Sequence, residues 1–305
     1  MTAGTRIPLY DELGQMIWID REEFRQRVIP ENMQAEWDHA EGLYTLVVQV
    51  FRDGFLEEAG KGADRLLELT ERQEGALLVK ALVHLRQKQY GDAEAVLQEC
   101  IERFPDRGVA YTYLAKVYAN REEKEKVLPA LIEGLKREPN QETALRMLTR
   151  WCNSREQAEE ILKELASQPD AWWPQLELGK LYLDLRQESE AMDRFRAALD
   201  LTRSYRVDEE FPEWEEEVAA MTVTANLRKK GWTDALIRFC EDYWTPKFIT
   251  PFIGTDYAQA LEEKGEIKQA VETLHQMVEY VRPEYQPMLH YRMHQLEKKA
   301  LLSRN

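Results

Sequence analysis

Three prolines mark off the chain and decide most of what it can fold into. Pro105 closes a segment that runs Ala93-Glu94-Ala95-Val96-Leu97 into Ile101-Glu102-Arg103-Phe104, and Pro139 closes Leu131-Ile132-Glu133-Gly134-Leu135 and its tail 34 residues later. Pro169 follows Ala158, Leu162 and Leu165 after a further 30 residues, so this unit is expected to be short by about one helical turn, lost near Asn153 and Ser154. A period near 34 is the length of a helix–turn–helix unit. Such a unit cannot bury its apolar faces alone and must stack on its own copies. The 305 residues are therefore read as repeats rather than as two ordinary domains of about 150 residues each.

The segment Asp170 to Arg203 carries Leu178-Gly179, Tyr182, Ala191, Phe195 and Ala198 in that order. It resembles the tetratricopeptide repeat (TPR), whose pattern is W-x-x-L-G-x-x-Y, then A-x-x-x-F, then a later Ala and Pro. Gln175 stands where the pattern has its leading Trp, and Arg203 where it has its final Pro. The pattern is steric: Gly179, Ala191 and Ala198 are small where two antiparallel helices approach closely, and Leu178, Tyr182 and Phe195 fill the space around them.

The same order of sizes recurs in Leu77, Ala81, Ala93, Leu97 and Cys100, and again in Tyr111, Leu114, Ala115, Tyr118, Val127, Leu131 and Gly134. A weaker unit runs from Gly42 to Gln73, with Ala63, Leu66, Leu67 and Leu69 in its second helix. Ala235-x-x-x-Phe239 and Ala270-x-x-x-Leu274 mark two later second helices, whose first helices are expected over about Trp214–Lys230 and Phe252–Lys264. Turns are expected at Asp53-Gly54, Tyr90-Gly91-Asp92, Gly231-Trp232-Thr233-Asp234 and Gly265-Glu266, with Gly ending one helix in a left-handed conformation and Asp or Thr capping the next. The resemblance implies an all-α, right-handed TPR α-solenoid of about seven helix pairs over residues 41–283. An irregular link near 204–212 is its expected hinge.

The ends do not follow the repeat. Ile7-Pro8-Leu9-Tyr10 and Gln15-Met16-Ile17-Trp18-Ile19 read as two short strands around an Asp11-Glu12-Leu13-Gly14 turn. Asp20-Arg21-Glu22-Glu23 then fits a capping box that starts a helix to about Val28, and a second short helix with Met33 and Trp37 comes after Pro30. Residues 1–40 are expected to form a β-hairpin and helix cap over the first repeat. The alternative is a docking element exposing Tyr10 and Trp18. Residues 284–305 are expected to form a C-terminal capping helix with Leu289, Met293, Leu296, Ala300 and Leu301 on its buried stripe.

Composition narrows the function. Lys+Arg 41 against Asp+Glu 56 gives a net charge of -15, a field that repels nucleic acid and anionic membranes. Cys100, Cys152 and Cys240 are scattered, odd in number and without a C-x-x-C, as in a reducing compartment. The start of the chain lacks the apolar run of a secretory signal, and no stretch is long enough to span a membrane, so a cytoplasmic setting is expected. By whole-chain impression it looks like a bacterial TPR protein.

No nucleotide-binding, zincin or nucleophile-elbow motif is present, so no enzyme and no cofactor are expected. His290, His294 and Glu297 share one helix face at metal-ligand spacing, but read as a solvated capping-helix surface. An enzyme would need His39 or His84 to meet carboxylates in a pocket. The first helices of TPR units line a concave face. There Leu82, Lys116, Arg150 and Lys180 each come one residue after the small position of their repeat, with Thr112 and Asn120 one turn either side of Lys116 and Arg146 one turn before Arg150. Thr112, Lys116, Asn120, Arg146, Arg150 and Lys180 form a basic, hydrogen-bonding strip suited to a carboxylate, from acidic side chains or a free C-terminus, in an extended peptide. In residue character the strip resembles a carboxylate clamp, without that clamp's Asn and Lys spacing. Glu142 and Glu177 stand close enough to compensate Arg146 and Lys180 on a merely solvated face.

Most tryptophans, among them Trp151, Trp172, Trp214, Trp232 and Trp244, are expected to pack between repeats, with Trp173 or Trp172 as an exposed anchor in the alternative. The expectation is a protein-interaction scaffold or adaptor, the alternative a peptide-sensing regulator. The partner is another protein or peptide, and self-association through the solenoid ends is open.

Overall fold

The computed structural model of the chain describes residues 6–10, 15–69, 73–207 and 211–302. They fall in two compact units, Met1–Glu138 and Pro139–Asn305.

The first unit opens with antiparallel strands β1 (Arg6–Tyr10) and β2 (Met16–Asp20), Pro8 standing opposite Trp18. The expected turn at Asp11–Gly14 lies outside the described residues. Asp20 caps the helical segment after β2, its Oδ1 accepting the Glu22 N–H at 2.9 Å. The break expected at Pro30 does not occur. α1 (Arg21–Glu23), a π-helical turn (Phe24–Val28) and α2 (Ile29–Ala35) form one helical run. Pro30 stands in the first turn of α2, where a missing N–H is best tolerated, directly after the π-helical turn. Ile29 and Met33 from this run are buried with Leu43, Val47, Ala59, Ala63 and Leu66 of the first hairpin.

Three hairpins complete this unit: α3 (Ala40–Arg52) with α4 (Leu56–Leu69), α5 (Gln73–Arg86) with α6 (Tyr90–Arg103), and α7 (Val109–Asn120) with α8 (Lys124–Arg137). Ala81, Ala93 and Cys100 are buried with Leu77 and Leu97, as the repeat pattern requires. The carboxylate of Glu138, just past α8, accepts the Gly108 and Val109 N–H groups at 2.9 and 3.1 Å and so satisfies the start of α7.

The second unit holds four hairpins: α9 (Glu142–Trp151) with α10 (Arg155–Ala166), α11 (Trp172–Asp184) with α12 (Glu188–Arg203), α13 (Trp214–Lys230) with α14 (Thr233–Tyr243), and α15 (Phe252–Glu263) with α16 (Ile267–Met277). A 3-10 turn (Pro283–Tyr285) leads to α17 (Gln286–Leu302). The shortening expected near Asn153 and Ser154 is visible in α9, only 10 residues long, and in the tight connection to α10. There Ser154 caps through Gln157 N–H at 3.2 Å, and Gln157 Oε1 accepts the Asn153 N–H at 2.7 Å. In α11–α12 the aromatic ring of Phe195, fully buried, lies where a side chain on Gly179 would have to go. Both departures from the TPR pattern are accommodated. Gln175 is buried, donating to Ala166 O at 3.0 Å and accepting from Arg194 at 3.3 Å. Arg203 ends α12 by pairing with Glu216 at 2.9 Å.

Turn chemistry differs from expectation in two respects. Gly54, Gly231 and Gly265 take positive φ as expected, but Gly91 sits inside α6 and the left-handed residue of its hairpin is Lys88, at φ 61°. Glu122 and Arg186 occupy the same station in their own hairpins at φ 61° and 60°. Nor do Asp92, Thr233 and Asp234 cap their helices, since each lies within the first turn. Thr233 instead donates to Glu263 at 3.0 Å, and Asp234 pairs with Lys264 at 2.6 Å, joining two neighbouring turns.

The Glu215-Glu216-Glu217 run at the start of α13 buries two of its three carboxylates. Glu216 takes Arg203 at 2.9 Å and Arg206 at 2.6 Å, tying both described sides of the irregular link, whose residues 208–210 lie outside the described set. Glu217 accepts the Ile249 and Thr250 N–H groups at 3.1 and 2.8 Å, ahead of α15. Leu289, Met293 and Leu296 hold α17 down, while Leu301 is 66% exposed and leaves the expected stripe.

Candidate functional site

The residues of the expected basic strip divide between the two units. In the first, Thr112 is buried at 4% exposure, so α7 presents Lys116 and Asn120 rather than a row of three. The Asn120 amide donates to Lys116 O at 2.7 Å and finishes the C-terminal turn of α7. Lys116 Nζ lies 4.6 Å from the centroid of the Tyr113 ring, a cation–π arrangement that keeps its charge at the surface. Burial, and after it the Tyr44 phenol, push the Tyr113 hydroxyl above its ordinary value and keep it neutral. Aromatic surface and one cation therefore stand together on the first-helix side of this unit. Sequence reasoning named Lys116 but missed Tyr113 and Tyr44, whose only signal was their place on α7 and α3.

In the second unit Arg146 and Arg150 stand one turn apart on α9, both exposed. Arg146 meets Glu142 at 3.5 Å, and Arg150 makes no ion pair among the described residues. Lys180, on α11, is half-buried and pairs with Glu177 at 2.7 Å. The compensation foreseen from the sequence is therefore real for Arg146 and Lys180. The Arg146–Glu142 pair is solvated on both sides and therefore weak, whereas Lys180 and Glu177 form a more enclosed pair.

Trp173 is half-buried beside the buried Trp172, ring centroids 4.6 Å apart, with its backbone N–H on Asn140 Oδ1 at 2.9 Å. Its indole Nε1 is buried without a hydrogen-bond partner. Of the other tryptophans, Trp214 departs from inter-repeat packing and is 52% exposed at the first residue of α13.

This arrangement offers cations and aromatic surface. Among the described residues no group of three His, Cys, Asp or Glu could hold a metal ion, which leaves His290 and His294 as exposed groups on α17. Cys100 and Cys240 are buried and Cys152 half-buried, all as free thiols. Burial pushes each of the three above the ordinary thiol value, away from nucleophile behaviour. No described helix is long and apolar enough to cross a membrane.

Among the described residues seven helical hairpins, with left-handed turns 34 residues apart at Gly54, Lys88 and Glu122 and again at Gly231 and Gly265, define a helical-repeat fold. Residues 74–117 match the family model described as Tetratricopeptide repeat. Yeast Tom70 is similar in structure at a TM-score of 0.50 and 12% identity, over 92% of this chain and 60% of that one. The chain thus spans three-fifths of the Tom70 chain. YrrB, a TPR protein with an unusual peptide-binding site, is similar over 59% of this chain and 94% of its own at 16% identity and TM-score 0.36. The TPR2AB domain of yeast Sti1 in a pHSP90 complex is similar over 86% of this chain and 98% of that one at 15% identity and TM-score 0.35. No curated protein matches the chain in sequence. Residues 74–117 thus carry a tetratricopeptide repeat, and the likeness to Tom70 is one of fold.

Proposed function

We propose that the chain is a non-catalytic interaction scaffold that holds an acidic or C-terminal peptide segment of a partner protein on its first-helix faces. The observation that carries this reading is Arg146 and Arg150 one turn apart and exposed on α9, with Lys180 on α11, in a chain of net charge -15. Cations that an acidic protein keeps at its surface are suited to a carboxylate. Among the described residues the acids answering them are the short-range partners Glu142 and Glu177, which an incoming carboxylate can replace. Lys116 with Tyr113 supports the same chemistry in the first unit, and Trp173 supplies apolar contact in the second.

The direct test is fluorescence polarisation with labelled octapeptides rich in Asp and Glu, with a free or an amidated C-terminus. Binding is expected to weaken at least tenfold in Arg146→Glu/Arg150→Glu and to fall with added salt. Equal binding by the wild type and the charge-reversed protein would remove the basis for the proposal. Loss on amidation alone would assign the terminal carboxylate as the group recognised.

A further inference from the structure

Two cavities adjoin along α16 in the second unit, one toward α14 and the other toward α17, and Gln276 lines both. The smaller, of about 360 Å³, is walled by Glu241 and Trp244 at the end of α14, Tyr257 of α15 and Glu272 of α16. The larger, of about 580 Å³, is walled by Pro246, Val278, Tyr280 and Met293, with Glu279 and the exposed His275 and His290. Both volumes fall in the range of ligand sites, about 300–1,000 Å³. Trp244 is a fixed wall. Its indole nitrogen lies 3.0 Å from where a Cβ on Gly254 would stand, and its ring meets Tyr257 at a centroid distance of 5.7 Å. The Gln276 amide donates to Glu272 Oε1 at 3.0 Å, so the residue common to both cavities also orients a carboxylate.

We infer that these cavities hold a basic segment of a partner protein, an arginine side chain in the smaller and an adjacent large apolar side chain in the larger. Charge sets the first assignment. Glu241, Glu272 and Glu279 line the pair, and among the described residues no Lys or Arg does. The cations nearest in sequence, Lys247, Lys268 and Arg282, line neither cavity, and Lys247 lies instead 4.8 Å from the centroid of the Phe211 ring. A guanidinium stacks on an indole face and takes carboxylates through its planar fork, and Trp244 with Glu241 and Glu272 offers both contacts. Shape and polarity set the second. Pro246, Val278, Tyr280 and Met293 give the larger cavity an apolar wall, and the methionine thioether adapts to the side chain it meets. The ligand is opposite in charge to the one proposed for α9 and α11, so the inference is independent of that reading.

Fluorescence polarisation tests it, with the full chain and labelled octapeptides of Gly and Ser that carry a central Arg-Leu, Ala-Leu or Arg-Ala pair. At about 0.15 M salt, where acids more than about 8 Å away are screened, the Arg-Leu peptide is expected to bind about tenfold more tightly than the Ala-Leu peptide, and more tightly than the Arg-Ala peptide. Glu241→Lys/Glu272→Lys changes two exposed residues, leaves the core intact and is expected to weaken Arg-Leu binding at least tenfold. Glu125→Lys/Glu160→Lys makes the same change of net charge at exposed sites that line neither cavity, and is expected to bind as the wild type does. Arg146→Glu/Arg150→Glu is expected to leave Arg-Leu binding in place. An Arg-Leu peptide bound no more tightly than either alanine peptide overturns the inference. So does equal binding by the wild type and Glu241→Lys/Glu272→Lys, or an equal loss in Glu125→Lys/Glu160→Lys.

Discussion

At the scale of single residues, the turns show a conflict between backbone and side chain. Gly54, Lys88 and Glu122 succeed one another at 34 residues in the left-handed region, and Arg186 holds the same station in a later hairpin. The hairpin geometry therefore demands positive φ whatever residue stands there, and only glycine adopts it without a Cβ penalty. Lys88→Gly, Glu122→Gly and Arg186→Gly are each expected to stabilise the protein by about 0.5–1 kcal/mol, read as a higher denaturation midpoint in urea. Lower midpoints would mean that the turn is not held in this conformation. Gly179 is the opposite case. Alanine there would gain helix propensity but would press on the closed ring of Phe195, so Gly179→Ala is expected to cost about 1–3 kcal/mol in the same measurement. Gly179 could be recognised in the sequence because small residues at helix crossings recur with the period. The left-handed Lys88, Glu122 and Arg186 could not, because nothing in a lysine, glutamate or arginine signals positive φ.

At the scale of elements, helix identity tracks the apolar period while the joints are decided by polar groups far apart in sequence. α13 and α15 start where the sequence places them, yet their starts are held by Glu216 with Arg203 and Arg206, and by Glu217 with the Ile249 and Thr250 amides. Three successive glutamates look like a solvated turn, and only the folded path reveals two of them as buried. Glu216→Ala leaves two arginines facing a lost carboxylate and is expected to destabilise by about 3–5 kcal/mol, measured by thermal or urea unfolding. A loss below about 1 kcal/mol would show that the link is not held there.

α17 is docked through Glu262 of α15, which Lys299 takes at 2.8 Å and Arg292 also contacts. The Lys299 hydrogen bond, against an opposing effect of burial and with help from Arg292, holds the Glu262 carboxyl below its usual range. A lowered folded-state value stabilises above the unfolded value of about 4.3 and is lost as pH falls through the folded one. The thermal stability gap between wild type and Glu262→Gln is therefore expected at pH 7 and should close in acid. A gap independent of pH would exclude the ion pairs as its source.

For the whole molecule, repeat stacking within each unit means that a hairpin is stabilised by its neighbours there, so length adds hairpins without enlarging a single core. The order of large and small side chains already carried this conclusion in the sequence, because steric fit between helices must repeat wherever the helices do. The candidate site was less legible. The basic residues could be placed on first helices by counting from the small positions, but Thr112 falls inside, because one residue of helical phase separates a groove position from the core. Partner chemistry rests on charges that an acidic chain keeps exposed, and it is tested most directly in the cell. Affinity purification of the wild type and of Arg146→Glu/Arg150→Glu, followed by mass spectrometry, compares the partners each retains. The account predicts that the main partner is lost with the two arginines while the protein stays folded. An identical set of partners on both would contradict it.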